Sequence, residues 1–128
     1  MESLFLETTE ENSFTTPEVN FDCQTGVCVM SGEAFMNNSY EFFRPLIKWL
    51  EEFTTRISKQ LRFIFKLTYY NTSSSKSLFE MLEVMKTFED KGGDLIIEWH
   101  YDKNDTEMME DITDLALSSE VNITLVPY

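Results

Sequence analysis

The sequence predicts a small α/β domain: a mixed sheet of about five strands that opens with an antiparallel hairpin and carries three helices. Three observations predict it. Leu61, Phe63, Phe65, Leu67 and Tyr69 alternate with Arg62, Lys66 and Thr68, the period of two expected of a strand with one buried face. Leu78, Met81, Leu82, Met85 and Phe88 then recur at helical spacing. Strand-like and helix-like segments go on alternating to the C-terminus, and strand–helix–strand units with short loops imply parallel neighbours and right-handed crossovers.

Each element has its own signals. Residues 1–14, with Thr8, Thr9, Glu10, Glu11, Asn12 and Ser13, are polar and acidic and read as a flexible arm, which leaves residues 15–128 as the folded domain. From Pro17 a hairpin is expected: Val19 and Phe21 alternate on one strand, Val27 and Val29 on the next, and Gln24-Thr25-Gly26 turns between them. Ser31-Gly32-Glu33 ends the second strand. Asn38-Ser39-Tyr40-Glu41 resembles a capping box, and Phe42, Leu46, Trp49, Leu50, Phe53 and Ile57 form a helical stripe behind it. Pro45 is comfortable only in a first turn, so the regular helix either begins near Phe42 or kinks at the proline.

After the alternating strand and the second helix, Asp90-Lys91-Gly92-Gly93 supplies a stop with glycine available for the left-handed position. Leu95, Ile96, Ile97 and Trp99 are apolar on consecutive positions, as in a central strand. Asn104-Asp105-Thr106-Glu107 opens a third helix with a cap and an acidic first turn, and Met108, Ile112 and Leu115 form its buried stripe. Val121, Ile123, Leu125 and Val126 make the last strand. No internal repeat or low-complexity tract stands out.

Composition excludes several classes of function. With 128 residues, 42% of them hydrophobic and 14% aromatic, the chain can bury one real core. Its formal net charge of −13 opposes binding to a nucleic-acid backbone or an anionic membrane. The N-terminus lacks the basic and apolar regions of a signal peptide, and no apolar run approaches a membrane span, so a cytoplasmic protein is expected. On that footing Cys23 and Cys28 read as free thiols, and with His100 as the lone histidine they make too few ligands for a metal site. No cofactor is called for. Glu80, Glu83, Glu89, Asp102, Asp105, Asp111 and Asp114 fit solvated faces and caps, and Met81, Met85, Met108 and Met109 fit core positions better than a docking groove.

The richest local feature is Tyr69-Tyr70-Asn71-Thr72-Ser73-Ser74-Ser75-Lys76, a run of hydroxyls at a strand-to-helix turn. Unpaired backbone N–H groups and the positive end of the helix dipole meet there, and such a place tolerates an added phosphate. Serine and threonine are also favoured there simply as helix caps. A nucleophile would need a base. His100 lies near the end of a neighbouring strand, but there is no Gly-x-Ser-x-Gly elbow, Gly-rich phosphate loop or ligand cluster, and a non-enzyme is the expectation.

Three segments in order carry a resemblance: Asn38-Ser39-Tyr40-Glu41-Phe42-Phe43, the run from Tyr69 to Lys76, and Trp99-His100-Tyr101-Asp102. From about Thr16 onward the chain resembles the SiaC family of bacterial regulatory phosphoproteins. These are similar in fold to STAS domains and to the anti-sigma-factor antagonists, whose acceptor turn has Asp where Asn71 stands and Gly where Ser74 stands. The resemblance implies a STAS-like fold and a non-enzymatic partner switch. A Ser/Thr kinase would phosphorylate Thr72, a PPM-type phosphatase would remove the phosphate, and the unmodified form would bind a diguanylate cyclase in cyclic-di-GMP and biofilm control. Tyr69, Tyr70, Asn71, Ser73, Ser74, Trp99, His100 and Tyr101 are the expected partner-binding residues, with Lys76 screening the phosphate. The alternatives are an anti-sigma-factor antagonist, a small hydrolase using Ser73 or Thr72 with His100, and a binding module without phosphorylation.

Overall fold

The computed structural model describes residues 1–56 and 60–128. Its elements in chain order are β1 (Leu4–Leu6), β2 (Glu10–Glu11), β3 (Phe14–Thr15), β4 (Glu18–Phe21), β5 (Val27–Ala34), α1 (Ser39–Arg56), β6 (Gln60–Tyr70), α2 (Thr72–Asp90), β7 (Asp94–Tyr101), α3 (Thr106–Ser119) and β8 (Thr124–Pro127). Six strands form one sheet in the order β1-β4-β5-β6-β7-β8, and β2 and β3 pair separately. The α/β class, the opening hairpin and the three helices are those expected. The sheet has one strand more than expected, because β1 joins its edge.

That extra strand corrects the reading of residues 1–14 as a flexible arm. Leu4, Phe5 and Leu6 pair antiparallel with Phe21, Asn20 and Val19, and Leu4 and Leu6 pack against the core. The Trp49 indole N–H donates to the Glu2 carbonyl at 2.8 Å, and the Cys23 backbone N–H donates to Ser3 Oγ at 2.9 Å. Further on, Asn12 and Ser13 both have positive φ (51° and 68°), the conformation that closes a two-residue hairpin between β2 and β3. An acidic composition hid two apolar anchors and a tight turn.

Strands β5, β6, β7 and β8 run parallel and adjacent, and β6, β7 and β8 are each reached through a helix. Right-handed crossovers advancing one way along a sheet put all three helices on the same face. The burial pattern agrees: Leu61, Phe63, Phe65 and Leu67 of β6 are buried, and Arg62, Lys66 and Thr68 between them are exposed. The consecutive apolar residues of β7 therefore do not mark a strand covered on both sides, since Ile97 is buried and Ile96 is 48% exposed. The phase of β5 also differs from expectation. Cys28 and Met30 face the core, and Val27 and Val29 are half-buried on the other side.

Aromatic rings form a seam across the covered face. Phe21 meets Phe63 at 5.4 Å between ring centroids, Phe63 meets Phe65 at 4.5 Å, and Phe65 stacks on Trp99 at 4.5 Å. Trp49, stacked on Phe53 within α1, closes on Phe21 at 5.2 Å. Helix α1 starts as expected, the Glu41 N–H donating to Asn38 Oδ1 at 3.2 Å, and it continues through Pro45. The proline is exposed, so the Glu41 carbonyl that loses its helical partner faces water. The buried stripe uses Phe43 rather than Phe42, and the expected continuation at Ile57 lies outside the described residues.

Both cysteines are free; Cys28 is in the core, where burial and the nearby Asp22 push its thiol well above the usual range, leaving it protonated. On the open face, Arg62 Nε and Nη2 donate to Glu98 Oε2 at 2.9 and 2.7 Å, which holds the Glu98 carboxyl below the usual range. A depressed carboxyl stabilises the fold above its unfolded pKa and ceases to as pH falls through the folded value. Between about pH 6 and about pH 3 the wild type should therefore lose roughly 0.5 kcal/mol more than Glu98→Gln, read from urea midpoints. Gly26 has φ +74°, and a Cβ there would stand 2.6 Å from the Gln60 carbonyl oxygen. Gly26→Ala should cost about 2 kcal/mol, with the urea midpoint lowered and the slope unchanged.

Candidate functional site

At the end of β6 the alternation breaks. Gly32 pairs with Leu67 and Glu33 with Tyr69, so Thr68 is a bulged residue, and its hydroxyl donates to the Gly32 carbonyl at 3.3 Å. One inserted residue reverses the side-chain phase. Tyr69, which the alternation placed inward with Leu67, instead turns to the open face, 46% exposed and 6.0 Å from the Phe35 ring. Tyr70 turns inward to meet Trp99 at 5.9 Å. Burial, with Asp111 and Asp114 nearby, raises the Tyr70 hydroxyl above its ordinary range, so it stays protonated.

Asn71 caps α2. Its φ and ψ (−86°, 173°) are extended, and its Oδ1 accepts from the Ser74 N–H at 3.1 Å. The same oxygen receives the Ser74 hydroxyl at 2.8 Å and the Ser73 hydroxyl at 3.1 Å. Its Nδ2 donates to the Met36 carbonyl at 2.9 Å, and its backbone N–H donates to Ala34 O at 3.0 Å. Ser39, at the start of α1, completes the cluster: its Oγ lies 2.7 Å from Ser73 Oγ and 3.1 Å from Ser74 Oγ. Two loops distant in sequence are thus tied through one carboxamide and three hydroxyls.

The hydroxyls of the run are not equivalent. Ser74 is fully buried, Ser73 bonds to Ser39 and Asn71, and Ser75 Oγ donates to the Thr72 carbonyl at 2.7 Å. Thr72 is exposed, and its hydroxyl makes no hydrogen bond to the described residues. It stands at the rim of a groove of about 500 Å³ between α2 and α3, shared with Tyr70, Lys76, Asp111 and Asp114. Neither the Thr72 nor the Ser73 backbone N–H finds an acceptor among the described residues, as expected of a helix's first positions.

The expected docking residues separate into two groups. Tyr69, Thr72 and Ser73 are exposed and Asn71 half-buried, whereas Ser74 and Trp99 are wholly buried and Tyr101 is 9% exposed. Trp99 and Tyr101 lie on the covered face of β7, and the Trp99 ring supports Tyr70 from beneath rather than meeting a partner. His100 points to the open face, its Nε2 3.3 Å from Glu98 Oε1. The Ser73 hydroxyl bonds to Ser39 and Asn71 instead and that of Thr72 to no described residue, so neither pairing with His100 considered for a hydrolase occurs among the described residues.

Sequence reading missed three aromatics beside the turn. Phe14 packs on Phe35 at 5.5 Å, Phe35 reaches Tyr69, and Tyr40 is 63% exposed with the Arg44 guanidinium 5.7 Å from its ring centroid. They come from separate segments that converge on the turn only in the fold. The signal was an apolar residue at Phe35 with no place in either helix or strand periodicity.

The profile described as SiaC family regulatory phosphoprotein matches residues 7–128. The chain is 32% identical over 96 residues to an uncharacterized protein of Pseudomonas aeruginosa strain UCBPP-PA14, a match covering 75% of this chain and 76% of that one. Among solved structures it is similar to apo-SiaC from Pseudomonas aeruginosa, with TM-score 0.87, 27% identity, and 98% and 99% of the two chains covered. It is equally similar to a chain in the crystal structure of the diguanylate cyclase SiaD in complex with its activator SiaC, with TM-score 0.88, 26% identity and coverage of 98% and 99%.

The cluster makes Asn71 the structural keystone of the turn. Asn71→Ala should cost about 2 kcal/mol in chemical denaturation, about half for the lost cap and half for the Met36 carbonyl left without its side-chain donor. Asn71→Asp keeps the acceptor and loses the donor, and should fall between the wild type and the alanine variant.

Proposed function

The chain belongs to the SiaC family of regulatory phosphoproteins, and from that premise we propose that it is a non-enzymatic partner switch controlled by reversible phosphorylation of Thr72. The observation that carries the assignment is the state of the hydroxyls: of the four from Thr72 to Ser75, only that of Thr72 is both exposed and uncommitted. A Ser/Thr kinase can reach it without breaking an existing bond, and a PPM-type phosphatase can reach the product.

The first turn of α2 suits the modified state. A phosphate there carries roughly −1.5 to −2 charges, and the free N–H groups of Thr72 and Ser73 and the positive helix end are placed to accept it. Lys76 lies one turn further on. Outward, the same dianion sits beside Asp111 and Asp114 on a chain of net charge −13 and changes what a partner meets.

We assign the docking surface to Tyr69, Asn71, Thr72 and Ser73 with half-buried Phe14 and exposed Phe35 and Tyr40 alongside; tyrosine is among the residues that most often anchor an interface. The partner is a diguanylate cyclase. The support is the similarity to SiaC, which in the related crystal structure is the activator in complex with the cyclase SiaD. The unmodified form binds and activates, and phospho-Thr72 releases.

Calorimetry of the wild type and Thr72→Glu against the cognate cyclase tests this. The wild type should bind, and the glutamate should weaken binding at least ten-fold, about 1.4 kcal/mol or more. Equal binding would instead favour a constitutive module, and no binding by either would remove the cyclase as partner.

A further inference from the structure

Resting on Thr72 as the acceptor, we propose that Ser39 is a specificity-determining residue that confines phosphorylation to Thr72 by holding the adjacent Ser73 hydroxyl out of use. Ser39 is 3% exposed, and its hydroxyl has no bond within its own helix, where Asn38 already supplies the cap. Its partners are Ser73 and Ser74, 34 and 35 residues away in sequence. A buried serine that serves its helix so little and a distant turn so directly is placed for the turn.

Counting limits where the protons go. Three donors converge on Asn71 Oδ1, the Ser74 N–H and the hydroxyls of Ser73 and Ser74, yet an amide oxygen has two lone pairs. Two arrangements use every proton once. In one, Ser73 donates to Ser39 at 2.7 Å, Ser39 to Ser74 at 3.1 Å and Ser74 to Asn71 at 2.8 Å. In the other, Ser74 donates to the Ala34 carbonyl at 3.3 Å, Ser73 to Asn71 at 3.1 Å and Ser39 to Ser73; in both the Ser73 hydroxyl is held by Ser39. Such a chain strengthens each of its members.

Phosphoryl transfer asks the opposite of a hydroxyl. The acceptor oxygen forms a bond to the γ-phosphorus of ATP as the bond to the ADP oxygen breaks, and its proton passes to the kinase's base. Thr72 Oγ1 is free to turn in line. Ser73 must first give up its contact with Ser39 and leave a buried hydroxyl short of a partner, and Ser74 is wholly buried. Two acceptors one residue apart thus differ in availability because of a residue on another helix.

The test is site-resolved mass spectrometry of the full chain after incubation with ATP and a Ser/Thr kinase that phosphorylates the wild type. The wild type should carry its phosphate on Thr72, and Ser39→Ala should raise the Ser73-to-Thr72 ratio at least ten-fold. Thr72→Val, an exposed change that leaves the cluster intact, should take up less than a tenth of the wild-type phosphate, with none passed to Ser73. An unchanged ratio in Ser39→Ala, or efficient labelling of Ser73 in Thr72→Val, overturns the role of Ser39 while leaving Thr72 as acceptor. Wild-type phosphate found elsewhere than Thr72 overturns the acceptor assignment, and with it this one.

Discussion

The aromatic seam on the covered face is the contact on which the rest of this structure depends. It runs from Trp49 and Phe21 through Phe63 and Phe65 to Trp99, and it ends where Trp99 receives the Tyr70 ring. Large rings bury the most apolar area per residue and also impose geometry, since offset and edge contacts hold neighbouring strands at defined separations. Because the seam reaches Tyr70, the register of the sheet is transmitted to the residue just before the hydroxyl turn. The turn is in this sense the last contact of the core.

A single inserted residue converts that anchoring into an exposed site. Without the bulge at Thr68, Tyr69 would point inward and Tyr70 outward, and α2 would begin with the wrong side chain beneath it. With it, Tyr70 is held by Trp99 while Tyr69 joins Phe35 on the open face. Asn71 then binds the turn to the β5–α1 loop through Ala34 and Met36, and Ser39 completes the junction from the start of α1. Rigid support under a free hydroxyl is the arrangement a modification switch needs, because a charge added to a well-held turn alters the surface rather than dissolving in local motion.

In the proposed switch, electrostatics set the direction. The chain is strongly acidic, and the groove that Thr72 borders has Asp111 and Asp114 on its far side and Lys76 nearby. A phosphate at this place is stabilised locally by the helix terminus and opposed at longer range by carboxylates, so its charge is expressed outward. Pre-existing acidity makes the unmodified turn, with its neutral hydroxyls and aromatic neighbours, the part of this end of the sheet where a partner can pack closely.

By itself the sequence determined the class of the fold and the strand-to-helix turn at which we propose the site. Periods of two and of 3.6, a cap at Asn71, an acidic start at Glu107 and a glycine stop at Gly92 are all written within a few consecutive residues, since they depend on local backbone geometry. The hydroxyl run at a strand-to-helix turn was legible for the same reason. Tertiary structure decided what depends on pairing between distant segments: that β1 joins the edge of the sheet, that Cys28 rather than Val27 faces the core, and that Trp99 and Tyr101 lie on the covered face. It also decided which hydroxyl of the run is free. Alternation gives the period of a strand but not its phase after a bulge, and a hydrogen bond between Ser39 and Ser73 exists only once two helix starts have been brought side by side.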